Sequence, residues 1–380
     1  MINPFSFSLR TRLVFGAGSI TKIGELAHEL KLNKTLLVAD RGLQTSGHVD
    51  RVVYLLNESK IDVVPFHDFD TNPDTTMVER GHNFATSHDV DSIIGLGGGS
   101  SLDCAKGINF LLTNGGTMSD YQGYGKALNP LLPMIALPTT SGTGSEAQSY
   151  AVISDAVTHL KIACGTPSAA FKVALLDPEL TLSQPASVTA DSGFDAIAHA
   201  VETAVTTRRT EISNTFSREA FRLLIGNYEQ VLQSPNDLTA RSLMHLGAFY
   251  AGVAIEQSML GAAHACANPL TARYDITHGA ALAILLPHVV RWNTTASRTL
   301  YEDFVISTIN KTNENSGEQL ANLLIKVSKA GGFFSRLRDI GVSEQDLETL
   351  AEQAGQQWTG AFNPIPFNAS GALEIYQCAY

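Results

Sequence analysis

Asp91–Ala105 reads DSIIGLGGGSSLDCA: an apolar run of strand length, a glycine turn, and the start of a helical pattern. Asp91–Leu96 predicts a buried strand, and Leu102, Ala105 and Ile108 mark the apolar face of a following helix. Between them, Gly97-Gly98-Gly99-Ser100 forms the turn. Glycines let a backbone approach a phosphate closely, and the N–H groups at a helix start attract an anion. Gly95-x-Gly97-x-x-Ser100 nearly matches the dinucleotide fingerprint, with serine in place of the last glycine. Asp103 is expected in the first helical turn, where a carboxylate suits the dipole. Glycine turns of this kind also serve plain packing, so the flanking segments decide.

Three further runs share the texture. Thr35–Ala39 ends in Asp40, Asp62–Phe66 precedes the turn-rich DTNPD of Asp70–Asp74, and Met134–Leu137 ends in Pro138-Thr139-Thr140. Helical spacing fills Ser19–Leu30 and Met77–Ser87. Short buried runs alternating with helices predict βαβ units and a parallel sheet. Ligands of such sheets bind at the carboxyl ends of the strands. There Asp40 would accept hydrogen bonds from a ribose, or cap a turn, and Thr139–Ser145 supplies a loop of hydroxyls and glycines. Gly16-Ala17-Gly18 lacks a third glycine at the required offset and is discounted.

After Asp177-Pro178 and Ser183-Gln184-Pro185 the strand-like runs nearly vanish. Ala190–Val205, Ile212–Leu224, Leu238–Glu256 and Ser316–Ala330 read as helices, the last with Ser316 at its N-cap and Gly331 past its end. The expected division is an α/β dinucleotide-binding domain over 1–186 and an all-helical domain over 187–380, with a cleft between them for a small molecule.

Composition narrows the function classes. The chain has 380 residues, 44% hydrophobic and 17% charged, which suits packed cores and excludes a mostly disordered chain. A net charge of −11 argues against nucleic acid and anionic membrane surfaces as partners. Met1–Phe15 does not read as a signal peptide, and Gly279–Val290, interrupted by Pro287 and His288, is too short to span a bilayer. Cys104, Cys164, Cys266 and Cys378 are scattered and suggest no disulfide framework. The expectation is a reduced, soluble, cytoplasmic protein.

Asp195 and His199 lie four apart, on one face of a helix. Alone they would be an ordinary surface pair. His264, in GAAHACAN, and His278, in DITHG, change the balance, because small apolar neighbours allow close packing around a shared centre. One carboxylate and three imidazoles suit Fe(II) or Zn(II) rather than Ca(II) or Mg(II). Cys266, two residues from His264, would point elsewhere, and His288 reads as structural.

Together, Gly97-Gly98-Gly99-Ser100-x-x-Asp103, Pro138-Thr139-Thr140-x-Gly142-Thr143-Gly144-Ser145-Glu146, Asp195-x-x-x-His199, His264 and His278-Gly279 resemble the iron-containing (group III) alcohol dehydrogenase family. The resemblance runs from Phe15-Gly16-x-Gly18 to Ile375-Tyr376-x-x-Ala379-Tyr380. It implies a Rossmann-like N-terminal domain, a helical C-terminal domain, a nicotinamide dinucleotide and a divalent metal, usually Fe2+, with Zn2+ as the alternative. The implied metal ligands are Asp195, His199, His264 and His278. The implied cofactor contacts are Asp40, Asn72, Gly97, Gly98, Gly99, Ser100, Asp103, Thr139, Thr140, Val152 and Lys161. Asp40 favours NAD over NADP, since a carboxylate there would repel a 2′-phosphate. The substrate would be a small alcohol, aldehyde or ketone, and the assembly a homodimer or larger homo-oligomer.

Two positions depart from the family pattern. Asn268 stands where many members carry a further histidine, four residues after the third ligand, and an amide cannot relay protons near pH 7. Gln148 stands where members often have threonine. Competing readings are a dehydroquinate synthase-like lyase, a metal-dependent hydrolase, and a nucleotide-binding protein with a degenerate site. Dehydroquinate synthases and glycerol dehydrogenases usually lack the histidine four residues after the acidic ligand, so His199 favours the alcohol dehydrogenase branch.

Overall fold

The computed structural model describes residues 5–309 and 315–380, so residues 1–4 of the N-terminal segment read above lie outside it. The chain divides into two compact units, Ser8–Gln184 and Pro185–Tyr380, the latter joined by residues 5–7.

In the first unit, strands alternate with helices: β1 (Arg12–Phe15), α1 (Ile23–Glu29), β2 (Lys34–Val38), α2 (His48–Glu58), β3 (Asp62–Phe66), α3 (Thr75–Thr86), β4 (Ser92–Gly97) and α4 (Gly99–Asn114). A two-residue β5 (Gly123–Tyr124), then β6 (Met134–Pro138), β7 (Tyr150–Ser154), β8 (Lys161–Gly165) and β9 (Val173–Leu176) complete it. Six strands form one parallel sheet in the order β1-β9-β6-β4-β2-β3. The chain runs outward from β2 to β3, then returns to place β4 on the other side of β2. That reversal leaves a crevice beyond the carboxyl ends of β2 and β4, where open α/β sheets bind ligands. β2, β4 and β6 are buried nearly throughout, as continuous Val/Ile/Leu runs of parallel strands should be.

Two features escape the sequence pattern. The edge strand β1 is too short and too exposed to show a buried run. β5, β8 and β7 form a separate three-stranded sheet, with β7 and β8 antiparallel. The discounted Gly16-Ala17-Gly18 turn is held by the chain itself: the buried Asp177 carboxylate accepts hydrogen bonds from the N–H groups of Gly18, Ile20 and Glu179, each at 3.0 Å.

The second unit is helical: α5 (Ala186–Thr203), α6 (Glu211–Gln233), α7 (Leu238–Ser258), α8 (Ala262–Tyr274), α9 (His278–Ile309), α10 (Ser316–Ala330), α11 (Leu347–Gly355) and α12 (Ala369–Ala379). Every α5 residue from Gly193 to Thr203 is buried, so this helix is interior, packed against α6, α7 and α9. The N-cap of α10 is Asn315, whose side chain accepts from Glu318 N–H, and not Ser316, which lies inside the first turn. No helix among the described residues is long and apolar enough to cross a membrane. The four cysteines are free thiols, all buried except Cys378.

Asp177→Ala is expected to destabilise the first unit by about 3 kcal/mol, because one buried and two part-buried N–H groups lose their shared acceptor. Denaturant unfolding measures it, and a loss below about 1 kcal/mol would contradict this account.

Candidate metal centre and nucleotide loop

The glycine stretch sits where the sheet topology wants a ligand. β4 ends at Gly97, whose φ of 141° is open to glycine alone among ordinary residues, and the chain enters α4 directly. No side chain caps the start of α4, leaving its first N–H groups for an anion.

Of the residues expected to contact a cofactor, Asp40, Asn72, Thr139 and Thr140 lie on turns at this end of the sheet, whereas Val152 and Lys161 lie on β7 and β8 of the smaller sheet. Asp40, just past β2, accepts a hydrogen bond from Ser101 Oγ at 3.0 Å. Asn72 N–H donates to Ser100 Oγ at 3.0 Å, drawing the turn after β3 to the glycine loop. Thr139 N–H donates to Gly97 O, and a side chain on Gly98 or Gly99 would press on Thr140 or Thr143.

Asp103 is not in the first turn of α4 but one turn further, because the helix already begins at Gly99. Its carboxylate accepts from Ser145 Oγ at 2.6 Å and from the backbone of Val152, with Lys161 contributing favourable charge. Burial nevertheless raises Asp103 above the ordinary carboxylate range.

The sequence reading missed Lys106. It is fully buried, and its Nζ donates to Ser145 O, Ser145 Oγ and Tyr150 O, tying α4 to the loop after β6. Its neighbour Glu146 is pushed up to about 7 by burial. Gln148 Nε2 donates to Thr143 O within the same loop.

In the helical unit, Asp195 and His199 face the same way on α5, with Nε2 of His199 3.2 Å from Oδ1 of Asp195. Nε2 of His264, the third residue of α8, lies 3.5 Å from the same oxygen, and Nε2 of His278, at the start of α9, 3.8 Å. Three imidazoles from three helices thus aim one nitrogen each at a single carboxylate oxygen. A four-coordinate metal with bonds of ~2.0–2.1 Å sets its ligands ~3.3–3.5 Å apart. His199 and His264 stand at about that distance from Asp195, the ligand atoms of these three lie within 4.8 Å of one another, and His278 stands farther out.

Burial would raise Asp195, but the charges of His199, His278 and His264 overcome it and hold the carboxyl well below its usual range. Burial likewise opposes protonation of His264, yet Glu202 and Asp195 push it up to about 9. The cluster therefore calls for positive charge at its centre, met by protons or by a cation. Among the described residues, buried Asp195 Oδ1 and His264 Nε2 make no hydrogen bond. A metal would satisfy both atoms, and the residues present fit one.

Two carboxylates that the sequence reading passed over extend this stripe along α5. Glu202 accepts from Ala263 N–H at 2.7 Å and forms a short contact with His264 Nδ1. Asp191 accepts from Ala280 N–H at 3.1 Å, in the first turn of α9. The spacing 191, 195, 199, 202 is helical and could have exposed both. The chain after His278 must also come very close to α5: a Cβ on Gly279 would lie 2.1 Å from the Asp191 carbonyl oxygen.

Other histidines are engaged elsewhere. His67 bonds Ala39 O, His48 bonds Ser183, and buried His245 is pushed down to about 3 by desolvation. Asn268, one turn beyond His264 on α8, donates to Gln357 Oε1 at 3.0 Å.

Comparison with known proteins agrees with this layout. Residues 10–178 match the iron-containing alcohol dehydrogenase family, and residues 189–380 match its C-terminal family, described as Fe-containing alcohol dehydrogenase. The chain is 35% identical to 1,3-propanediol dehydrogenase of Citrobacter freundii, over 96% of each protein. It is 30% identical to the NAD-dependent methanol dehydrogenase of Bacillus methanolicus, over 94% of this chain and 95% of the relative. The solved alcohol dehydrogenase from Oenococcus oeni superposes with a TM-score of 0.95 at 30% identity, covering 99% of this chain and 100% of that one.

Gly279→Ala is expected to cost at least about 2 kcal/mol, since the new methyl meets backbone that cannot rotate away. Thermal unfolding checks this, and an unchanged midpoint would refute the close packing of α9 on α5.

Proposed function

The chain belongs to the iron-containing alcohol dehydrogenase family, and we propose that it interconverts small alcohols with aldehydes or ketones, using NAD and one divalent iron. The convergence of three imidazole Nε2 atoms on Asp195 Oδ1 carries this reading. Asp195, His199, His264 and His278 are the proposed metal ligands, within residues 187–380. Residues 1–186 are proposed to hold the nucleotide. His199 belongs to the cluster, which favours a dehydrogenase over a dehydroquinate synthase-like lyase. As in the family, the protein is proposed to act in the cytoplasm as a homodimer or larger assembly.

When bound, the iron supplies a Lewis acid for the substrate oxygen, and the nicotinamide accepts or donates the hydride. The chain's part is to bind and orient. The uncapped N–H groups from Gly99 onward would receive the dinucleotide's phosphates, with Gly97, Gly98 and Ser100 shaping the loop. Asn72, Asp103, Thr139, Thr140, Val152 and Lys161 would line the same nucleotide site. Asp40, positioned by Ser101, would accept from a ribose hydroxyl and repel a 2′-phosphate. Asn268 cannot titrate near neutral pH, so no side-chain proton relay is assigned to it.

Followed anaerobically by NADH absorbance with a panel of small aldehydes and ketones, metal-stripped protein is expected to be inactive and Fe(II) to restore turnover. Equal rates with and without metal would sink the reading. His264→Ala and His278→Ala should each lose bound metal, measured by elemental analysis, together with turnover.

Wild type should prefer NADH to NADPH. Asp40→Ala is expected to raise the relative kcat/KM for NADPH on the order of tenfold, ~1.4 kcal/mol of relieved repulsion. A wild-type preference for NADPH would refute the role given to Asp40.

A further inference from the structure

The residue beside His264 on the side away from Asp195, Glu202, is not among the proposed ligands. We propose that Glu202 is the positioning residue of the metal centre, orienting His264 and locating the start of α8 with a single carboxylate. The inference rests on the four-ligand reading above and adds to it the group through which His264 is fixed.

The two oxygens of Glu202 do different jobs. Oε1 accepts from Ala263 N–H at 2.7 Å. Oε2 meets His264 Nδ1 in a short contact. A carboxylate only accepts, so it selects the form of His264 that carries its proton on Nδ1. The other nitrogen, Nε2, is the one aimed at Asp195 and free of hydrogen bonds. The carboxylate therefore chooses which nitrogen a metal can take, as partners of metal-bound histidines commonly do.

The backbone contact explains why a charged group suits the position. The N-cap of α8 is Gly261, which offers no capping side chain. Its first N–H groups are met from elsewhere in the fold, Ala262 by Asn363 Oδ1 at 3.2 Å and Ala263 by Glu202. A negative charge at a helix start is favoured by the dipole, and more so when buried. Glu202 is only 3% exposed, so both of its contacts act away from water. It sits seven residues after Asp195 and three after His199, on the same side of α5. One helix thus presents two ligands and the group that orients a third.

The test is Glu202→Gln, which keeps size and leaves an oxygen for Ala263 N–H. Its amide can donate to His264 Nδ1, and that arrangement puts the ring proton on Nε2, where it blocks a metal. Metal-stripped wild type and variant are titrated with Zn(II) against a chelating fluorophore, and Co(II) absorption reports the ligand field. The variant is expected to bind Zn(II) about 10–100-fold more weakly than wild type and to show an altered Co(II) spectrum. Its thermal midpoint in the metal-free state should fall, because the buried charge facing Ala263 N–H and His264 is lost, but a purely structural role would lower the midpoint and leave affinity intact.

Equal Zn(II) affinity in the two proteins would overturn the role of Glu202 while leaving the metal site standing. Failure of the wild type itself to bind Zn(II) would overturn both. If the variant does not fold, nitrogen-15 histidine NMR of Zn(II)-loaded wild type decides. A metal-bound histidine with a strongly deshielded Nδ1 proton supports the proposal, and its absence refutes it.

Discussion

A carboxylate buried among apolar helices costs several kcal/mol unless positive charge and hydrogen bonds meet it, and Asp195 occupies such a position on α5. Much of the helical unit answers that demand. Three imidazoles approach one oxygen from α5, α8 and α9, at separations of 3.2, 3.5 and 3.8 Å. Small residues around His264, namely Ala262, Ala263, Ala265 and Ala267, are fully buried and let α8 come near. Gly279 does the same for α9, where any side chain would strike α5 backbone. A cluster that stores one negative charge among three imidazoles is competent for a divalent cation and poorly suited to an all-oxygen ion.

The stripe on α5 also orders its neighbours. Asp191 meets the first turn of α9, and Glu202 meets the first turn of α8. Each carboxylate satisfies a backbone N–H that a helix start would otherwise leave without an intrahelical partner. Ligand placement and helix placement are therefore one problem in this unit: a shift of either helix start moves a histidine.

The sheet unit solves a different problem, that of an anion beside a backbone. The strand order places the glycine turn at the point where the chain reverses direction across the sheet. The turn is then braced on several sides. Ser100 and Ser101 of α4 reach Asn72 and Asp40, while Lys106 and Asp103 hold the loop after β6 through Ser145. Lys106 is buried without cost in unmet polarity because its ammonium donates three hydrogen bonds.

The parallel sheet, the glycine turn and the Asp195–His199 pair were legible in the chain, because buried parallel strands are continuous apolar runs and a helix repeats its faces every three to four residues. Family resemblance added Asn72, Val152 and Lys161, which no local pattern marks. Asp103 fell one turn from its expected place because helix starts are local competitions between caps, and glycine imposes none. The second small sheet and the edge strand β1 were hidden because short, half-exposed strands leave no apolar run. Glu202, Asp191 and Lys106 were passed over for another reason: nothing in a sequence says that a carboxylate or an ammonium is buried. The hydrogen-bond partners named for them above lie 39 to 89 positions away along the chain, so only tertiary packing, by removing water and setting those partners at hydrogen-bond distance, decides that they act on the site.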